Sequence, residues 1–263
     1  MEILETIIIA IVEGLTEFLP VSSTGHIIIA QDLIGVESTP FVKAFTVIIQ
    51  FGAILSVVVL YWKQFFKSWN LYRKLIIAFI PAAIFGLLLS DFIDSLLDSV
   101  ITVGIMLIIG GVVMIFIDNL LSKGTEDYPE KISDKKALKI GLFQCIAMIP
   151  GVSRSMATIV GGISQGLTRK CAAEFSFFLA VPTMFAAMCY KMLQLFLEPN
   201  GVDLITNNLS ILIIGNLVSF FVALLSIKFF IGFVTKFGFK LFGYYRVVIG
   251  SIILILYFIG FIA

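Results

Sequence analysis

The first polar cluster of the chain brings carboxylates, hydroxyls and an imidazole together within fourteen residues. Its sequence is Glu13-Gly14-Leu15-Thr16-Glu17-Phe18-Leu19-Pro20-Val21-Ser22-Ser23-Thr24-Gly25-His26. Glu13 and Glu17 are four residues apart and therefore share one face of a helix, where two like charges need a cation or a shared proton to relieve their repulsion. Because carboxylate oxygens suit hard cations, we predict a Mg²⁺ or Ca²⁺ site at Glu13 and Glu17.

The hydroxyl and imidazole groups of this cluster suggest catalysis. His26 is the only histidine of the chain, and it follows Ser22 and Ser23 closely. We predict that Ser23 is a nucleophile and that His26 acts as base or acid. Two alternatives stay open, in which His26 is itself the nucleophile or Glu17 activates water. A serine here also suits a helix N-cap, although capping needs only one of the two.

The second polar cluster is cationic, with the sequence Pro150-Gly151-Val152-Ser153-Arg154-Ser155-Met156-Ala157-Thr158. An arginine deep in an apolar segment costs roughly 2.5–3.5 kcal/mol and requires an anionic partner. A phosphate fits, because a guanidinium, hydroxyls and the free N–H groups of a helix start all bind phosphoryl oxygens. The alternative is a structural ion pair between Arg154 and a glutamate of the first cluster, and both can occur in an empty site.

Composition indicates that both clusters lie in a membrane protein. The 263 residues are 60% hydrophobic and 13% charged, with a mean hydropathy of +1.10, far from a soluble domain of this size. The apolar flanks at 7–12 and at Phe18 and Leu19 argue against a surface amphipathic helix that keeps both glutamates in water. The net charge of +1 provides no field that would recruit nucleic acid, so we expect no such partner.

The pattern predicts an all-α polytopic fold. Apolar runs predict six transmembrane helices at 44–62, 75–90, 99–117, 172–192, 204–227 and 247–263. Residues 1–35 and 140–168 are also apolar, but a proline and hydroxyl cluster interrupts each of them. Each half of about 14 residues reaches only about 21 Å, so we predict two re-entrant helix–loop–helix hairpins whose unwound tips line a polar cavity.

The order of these elements predicts an internal repeat. One hairpin and three spans occupy 1–117, a polar linker follows at 118–139, and one hairpin and three spans occupy 140–263. Because three crossings per half is an odd number, the second half must be inverted, which places the two hairpins face to face.

Loop charge predicts the orientation, because short cytoplasmic loops collect Lys and Arg. Cations cluster at 63–74, in the linker, where Lys123 lies, and at Lys236, Lys240 and Arg246, which we assign to a loop between the last two spans. The acidic loop with Asp91, Asp94 and Asp98 has no cation. We therefore place 91–98, 197–207 and both termini outside, with the first hairpin and the predicted active site open to the outer side.

The two clusters, together with Phe175-Ser176-Phe177-Phe178-Leu179-Ala180-Val181-Pro182, resemble the signature motifs of the bacterial undecaprenyl-diphosphate phosphatases of the bacitracin-resistance type. The resemblance implies a multi-pass inner-membrane enzyme that uses a divalent cation to convert undecaprenyl diphosphate to the monophosphate. Such an enzyme recycles the lipid carrier of cell-wall peptidoglycan synthesis and confers bacitracin resistance.

The sequence thus predicts phosphoryl transfer from a polyprenyl diphosphate. The catalytic residues are Glu17, Ser23, His26 and Arg154, and the phosphate-binding residues are Ser22, Ser153, Arg154, Ser155 and Thr158. The alternative is a transporter or flippase of lipid phosphates or other anions, since inverted repeats with broken helices are typical of transporters. Carboxylates beside the arginine favour the enzyme, because they repel an anion unless a metal intervenes. A homo-oligomer is an open possibility.

Overall fold

The computed structural model describes residues 1–67, 69–90, 93, 96, 99–120, 124–198 and 200–262, and its regular elements are helices. In the first half these are α1 (Ile3–Thr16), α2 (Ser23–Ile34), α3 (Pro40–Ile48), α4 (Gln50–Leu60), α5 (Trp62–Lys67), α6 (Trp69–Leu88) and α7 (Val100–Leu120). A 3₁₀ turn at Pro129–Lys131 precedes α8 (Asp134–Ile146), α9 (Arg154–Ser164), α10 (Arg169–Leu197), α11 (Gly201–Asn207), α12 (Leu209–Phe237) and α13 (Lys240–Phe258).

Six helical segments in the described part of the chain are long and apolar enough to cross a membrane, which confirms the predicted number. They are Pro40–Leu60, Trp69–Leu88, Val100–Asp118, Arg169–Leu197, Leu209–Phe237 and Lys240–Phe258. The first combines α3 and α4, which meet at Ile49 with its backbone still in the helical region.

The predicted bounds of the last two spans, 204–227 and 247–263, differ from those of the helices. Residues 204–207 belong to the separate helix α11, and α12 begins only after Asn208 and continues past Lys228 to Phe237. The last span begins at Lys240 and not at 247, so Arg246 lies inside a helix and is fully buried. Charged residues marked span ends in the sequence, yet a long helix keeps lysines whose side chains reach the surface along their apolar stems.

Two helix–turn–helix units carry the polar clusters. α1 and α2 have 14 and 12 residues, and α8 and α9 have 13 and 11. Each helix is therefore shorter than the roughly 17–25 residues of a membrane-spanning helix. Both turns contain a proline and end at a serine in the left-handed region, Ser22 with φ of 70° and Ser153 with φ of 74°. The two turns thus enter their second helices in the same unusual way.

The third spans of the two halves, α7 and α13, form the most extensive helix pair. A Cβ on Gly250 would lie 2.7 Å from the carbonyl oxygen of Gly104. Likewise, a Cβ on Gly111 or on Gly243 would lie 2.7 Å from the carbonyl oxygen of the other glycine of that pair. Because the earlier residue of α7 pairs with the later residue of α13, the helices are antiparallel. Small residues at both crossings allow the close approach that membrane helices use for packing.

The segment between the halves is anchored to the helices around it. Asp134, the first residue of α8, accepts a hydrogen bond from the buried Lys74 and lies 3.2 Å from Arg73. Lys136 pairs with Glu126 at 3.1 Å. Of the loop charges used for orientation, Asp91, Asp94, Asp98 and Lys123 lie outside the described residues.

Candidate active site

A cavity of about 170 Å³ lies between the two turns. It is lined by both polar clusters and by residues of α4 and α10: Glu17, Ser22, Ser23, Thr24, Gln50, Ala147, Met148, Pro150, Gly151, Ser153, Arg154 and Met184. Two stretches of chain separated by more than a hundred residues therefore meet in one polar cavity.

Glu17 joins the two clusters. One carboxylate oxygen, Oε1, accepts a hydrogen bond from Arg154 Nη2 at 2.9 Å, and the other, Oε2, accepts one from Ser23 Oγ at 2.6 Å. Glu17 is the C-cap of α1 and keeps helical backbone angles, so it lies one turn after Glu13 as the spacing predicts. The predicted nucleophile Ser23 and the predicted phosphate-binding residue Arg154 therefore both donate to the carboxylate of Glu17.

The guanidinium of Arg154 is only partly used by the protein. Its Nη1 donates to the Ser176 carbonyl at 3.1 Å, its Nη2 also contacts Met184 Sδ at 3.3 Å, and the group lies over the Phe18 ring at 5.6 Å. Its Nε–H has no partner among the described residues. One hydrogen on Nη1 is also unused, so the described residues leave two N–H donors of Arg154 without a hydrogen-bond partner.

Glu13 is fully buried, and neither carboxylate oxygen has a hydrogen-bond partner in the described part of the chain. Its carboxylate is close enough to Glu17 and Arg154 to interact electrostatically with both. Burying a carboxylate without a partner is costly, so a cation or proton is needed here. Two adjacent carboxylates with hydroxyls nearby fit a hard cation that takes oxygen ligands.

These two glutamates do not form a complete metal cage. The described residues contain no group of three or more His, Cys, Asp or Glu side chains able to hold a metal ion. Mg²⁺ commonly binds through one or two carboxylates and completes its shell with water and substrate phosphate. The donor set at Glu13 and Glu17 therefore fits a cation that is held jointly with a phosphorylated substrate.

His26 lies in α2 beside the cavity residues, but its ring contacts another helix. Nδ1 lies 2.8 Å from the Ser22 carbonyl, four residues earlier, and Nε2 lies 2.7 Å from the hydroxyl of Tyr245 on α13. The two rings are stacked, with 5.5 Å between centroids. Because a carbonyl only accepts, Nδ1 carries the proton, and Nε2 accepts from Tyr245 when the imidazole is neutral.

The remaining predicted phosphate ligands divide into two groups. Ser22 and Ser153 line the cavity, and Ser153 Oγ also caps α9 by accepting from Met156 N. Ser155 and Thr158 are buried and are absent from the cavity lining. Ser155 Oγ donates to the Phe18 carbonyl at 2.8 Å, and Thr158 Oγ1 forms hydrogen bonds near the start of α9 and at 2.7 Å to Ser176 Oγ. Ser155 therefore joins the second cluster to the first, and Thr158 joins the second cluster to α10.

The starts of α2 and α9 both face this cavity. Ser23 and Thr24 are the first residues of α2, and Arg154 is the first residue of α9. The first N–H groups of a helix lack intrahelical partners and carry a partial positive charge. Two helix starts and a guanidinium therefore favour an anion, whereas the two glutamates oppose one unless they are neutralised. This combination is suited to phosphate together with a cation.

Residues 6–252 match the family model described as "Bacitracin resistance protein BacA". The chain belongs to this family. Among curated BacA relatives, the "Undecaprenyl-diphosphatase" of Flavobacterium johnsoniae is 56% identical over 259 residues, which cover 98% of this chain and 97% of the relative. The proteins of the same name from Porphyromonas gingivalis and Campylobacter jejuni are 52% and 44% identical. The alignment with the Porphyromonas gingivalis protein covers 97% of this chain and 97% of the relative. The alignment with the Campylobacter jejuni protein covers 99% of this chain and 96% of the relative.

Sequence reasoning missed several side chains around this BacA-family site, namely Gln50, Ser176, Tyr245 and Arg246. Ser176 lies in the third stretch that carried the resemblance, but no role was derived for it. Arg246 had a detectable signal, because an arginine near an apolar run is functional by default. Arg246 was assigned to a loop because the last predicted span began at residue 247.

Proposed function

We propose that this chain is an integral membrane undecaprenyl-diphosphatase, which hydrolyses undecaprenyl diphosphate to undecaprenyl phosphate and inorganic phosphate. Family membership and identity over nearly the whole chain support the activity. The observation that carries the proposal is the hydrogen-bonded series Ser23–Glu17–Arg154 in a cavity faced by two helix starts. It combines a hydroxyl nucleophile, its base and a guanidinium for the transferred phosphoryl group.

In the proposed mechanism, Ser23 Oγ attacks the terminal phosphorus and transfers its proton to Glu17 Oε2. A hydroxyl only 2.6 Å from a carboxylate oxygen is suited to this transfer. The bond between the terminal phosphorus and the bridging oxygen breaks, and undecaprenyl phosphate leaves. Water then hydrolyses the phosphoserine, releasing inorganic phosphate and restoring the Ser23 hydroxyl. Direct attack by water activated by Glu17 gives the same products.

Arg154 binds the phosphoryl oxygens through its unused donors, and Ser22, Ser153 and the N–H groups of the helix starts add further donors. A Mg²⁺ or Ca²⁺ ion held by Glu13 and Glu17 would supply positive charge against the transferred group. In the resting site Arg154 pairs with Glu17. Part of this pairing is replaced when phosphate enters, so the structural ion pair and the phosphate-binding role are compatible.

In this scheme the base that accepts the proton of Ser23 is Glu17, so His26 has a different role. Its Nε2 contacts Tyr245, whereas the Ser23 hydroxyl donates to Glu17. We assign His26 the transfer of a proton to the leaving phosphate or from the attacking water, for which Nε2 must exchange its hydrogen bond with Tyr245 for one to that group. Ser155 and Thr158, which the sequence predicted as phosphate ligands, support Arg154 through the contacts with Phe18 and Ser176.

For the fold we propose two inverted repeats, 1–117 and 140–263, each with a re-entrant hairpin at 1–35 or 140–168. The short helices of both units support re-entrance. The packing supports the repeat, because α1 packs on α12 of the second half while α8 packs on α6 of the first. The antiparallel glycine crossings of α7 and α13 have the same symmetry.

The proposed membrane is the bacterial inner membrane, with residues 118–139 in the cytoplasm and the active site open to the periplasmic side. Loop cations at 63–74 and 118–139 support this orientation. Arg246 no longer contributes to it, because that residue is buried inside α13.

The activity is tested by phosphate release from undecaprenyl diphosphate by the purified protein in detergent, with and without EDTA. We expect release that EDTA abolishes and that added Mg²⁺ or Ca²⁺ restores. Release that persists after complete metal removal would exclude the cation from the mechanism. Absence of release under every metal condition would instead favour the transporter or flippase.

A further inference from the structure

Arg246 is fully buried and contacts both turns. Its Nη1 donates to the carbonyl of Pro20 at 3.0 Å, and its Nη2 donates to the carbonyl of Gly151 at 2.9 Å. Pro20 and Gly151 each precede the left-handed serine of their turn by two residues. One guanidinium therefore bridges equivalent positions in the two turns.

The same side chain is also fixed to α7. Nη2 donates to the Met106 carbonyl at 3.2 Å, and Nε donates to the Leu107 carbonyl at 3.3 Å. Gly110 of α7 makes room for it, because a Cβ at that position would lie 2.3 Å from Nη2. The guanidinium thus has a fixed position relative to the third spans, and both turns are attached to it.

These contacts leave Arg246 little capacity to bind substrate. Four of its five N–H donors are used by backbone carbonyls, and the residue is fully buried. Among the described residues it forms no ion pair with a carboxylate, so carbonyl dipoles alone compensate the buried charge. Arg154 differs, since it lines the cavity and keeps two unused donors.

We propose that Arg246 is a positioning residue that sets the distance and angle between the two turns, so that Ser23 and Arg154 can contact the same phosphoryl group. The inference rests on the proposed phosphatase function. In-line phosphoryl transfer needs the nucleophile and the charge-stabilising group in one geometry, and a misplacement of about 1 Å can cost about 100-fold in rate. Without the bridge, each turn retains its own phosphate-binding groups but loses its alignment with the other.

The test measures kcat and KM for phosphate release by the full chain with Arg246→Lys and Arg246→Met, normalised to folded protein by size-exclusion chromatography. We expect kcat to fall by about 100-fold, while KM changes by less than about fivefold. A lysine keeps the positive charge but cannot donate to the carbonyls of both turns at once. We therefore expect the kcat of Arg246→Lys to lie above that of Arg246→Met but below that of the wild type. Normal kcat in folded Arg246→Met protein would overturn the inference.

Gly110→Ala provides an independent variant that retains Arg246 but displaces its Nη2 group. We expect the same loss of kcat with little change in KM. A normal kcat in folded Gly110→Ala protein would count against the bridge, and this variant keeps the test decisive if the Arg246 variants fail to fold.

Guanidinium chloride at non-denaturing concentration gives a second readout in Arg246→Ala. We expect it to restore part of kcat, whereas the same concentration of sodium chloride should not. Equal effects of the two salts would refute a positional role for the guanidinium group.

Arg169→Lys is the matched control, because Arg169 also forms a guanidinium contact, with Asp118 at 2.7 Å, but does not line the cavity. Its kcat should stay at the wild-type value. Wild-type protein in the same assay separates the two hypotheses. An inactive wild type rejects the proposed function, whereas an active wild type with fully active Arg246 and Gly110 variants rejects only this inference.

Discussion

Replacing Arg154 by lysine separates a phosphate-binding arginine from one that only joins the two turns. The substitution keeps the positive charge beside Glu17, which lies 2.9 Å from Nη2. It removes the planar fork whose Nε and second Nη1 hydrogen are unused by the described residues. An ammonium that stays paired with Glu17 can direct fewer hydrogen bonds to two phosphoryl oxygens at once.

The expected loss follows from the donors that the lysine cannot replace. One hydrogen bond to a charged group contributes about 1.5–3 kcal/mol, which corresponds to roughly 10- to 150-fold in kcat/KM. The loss of kcat/KM in Arg154→Lys should therefore approach the loss expected for Arg154→Ala. Their stabilities should differ, because Arg154→Ala leaves the mostly buried Glu17 carboxylate without its cation, at a cost of at most about 3–5 kcal/mol, whereas Arg154→Lys retains the pair.

The assay measures phosphate release and thermal unfolding on the same purified samples of both variants. Arg169→Lys again serves as the control, because its ion pair with Asp118 lies outside the cavity lining. Near-normal turnover in Arg154→Lys, together with destabilised Arg154→Ala, would mean that Arg154 holds the turns together and does not bind the phosphoryl group.

Four further outcomes are expected. Glu17→Gln should lower kcat by about 100- to 10,000-fold in phosphate-release assays with unchanged folded yield, and wild-type rates would remove it as the base. Glu13→Gln should raise the Mg²⁺ concentration that gives half-maximal activity in a metal titration; an unchanged value would exclude it as a ligand. In a cysteine-free background, Asp203→Cys should react with an impermeant maleimide in intact cells and Lys135→Cys should not, and the reverse labelling would invert the orientation. The hydrogen bond from Lys74 holds the pKa of Asp134 below its usual range. The stability that the Asp134 carboxylate contributes is therefore fully present above the ordinary pKa and is lost as the pH falls through the lowered pKa. Thermal unfolding should therefore show Asp134→Asn less stable than wild type at pH 7 and converging with it below about pH 4; a difference that is independent of pH would contradict this.

Local patterns in the sequence were sufficient to predict much of the fold and part of the site geometry. Hydropathy predicted six spans because a helix in lipid must be long and apolar. The four-residue spacing of Glu13 and Glu17 predicted a shared helix face, and the cost of a buried cation predicted an anionic partner for Arg154, which the structure provides as Glu17. Each of these predictions needs only one short segment and a rule about its surroundings.

The contacts that could not be predicted join segments that are distant in sequence. Arg246 and Pro20 are separated by 226 positions, and nothing local to Arg246 indicates that carbonyls will surround it. His26 was expected beside Ser23 because of its proximity in sequence. In α2, however, its ring donates to the carbonyl four residues earlier, and this bond turns the imidazole toward Tyr245 on α13. The partner of a side chain on a short helix depends on which neighbouring helix packs there.

The two turns have the same backbone shape but different chemistry at equivalent positions. A left-handed serine ends each turn, Ser22 in the first and Ser153 in the second, and the next residue begins a helix. That next residue is Ser23, with a hydroxyl group, in the first unit and Arg154, with a guanidinium group, in the second. The same backbone geometry therefore places the proposed nucleophile at the start of one helix and a positive charge at the start of the other.

The same comparison applies one helix earlier. Glu13 lies nine residues before the left-handed serine in the first unit, and Gln144 lies nine residues before it in the second. Both side chains are buried, and each has a side-chain atom without a hydrogen-bond partner among the described residues. A glutamate at position 144 would add a third carboxylate to those of Glu13 and Glu17, whereas the neutral amide of Gln144 adds no negative charge. In the proposed mechanism, Glu13 and Glu17 would hold a cation, and the guanidinium of Arg154, which lies 2.9 Å from Glu17, would add a second positive charge next to the same phosphoryl group.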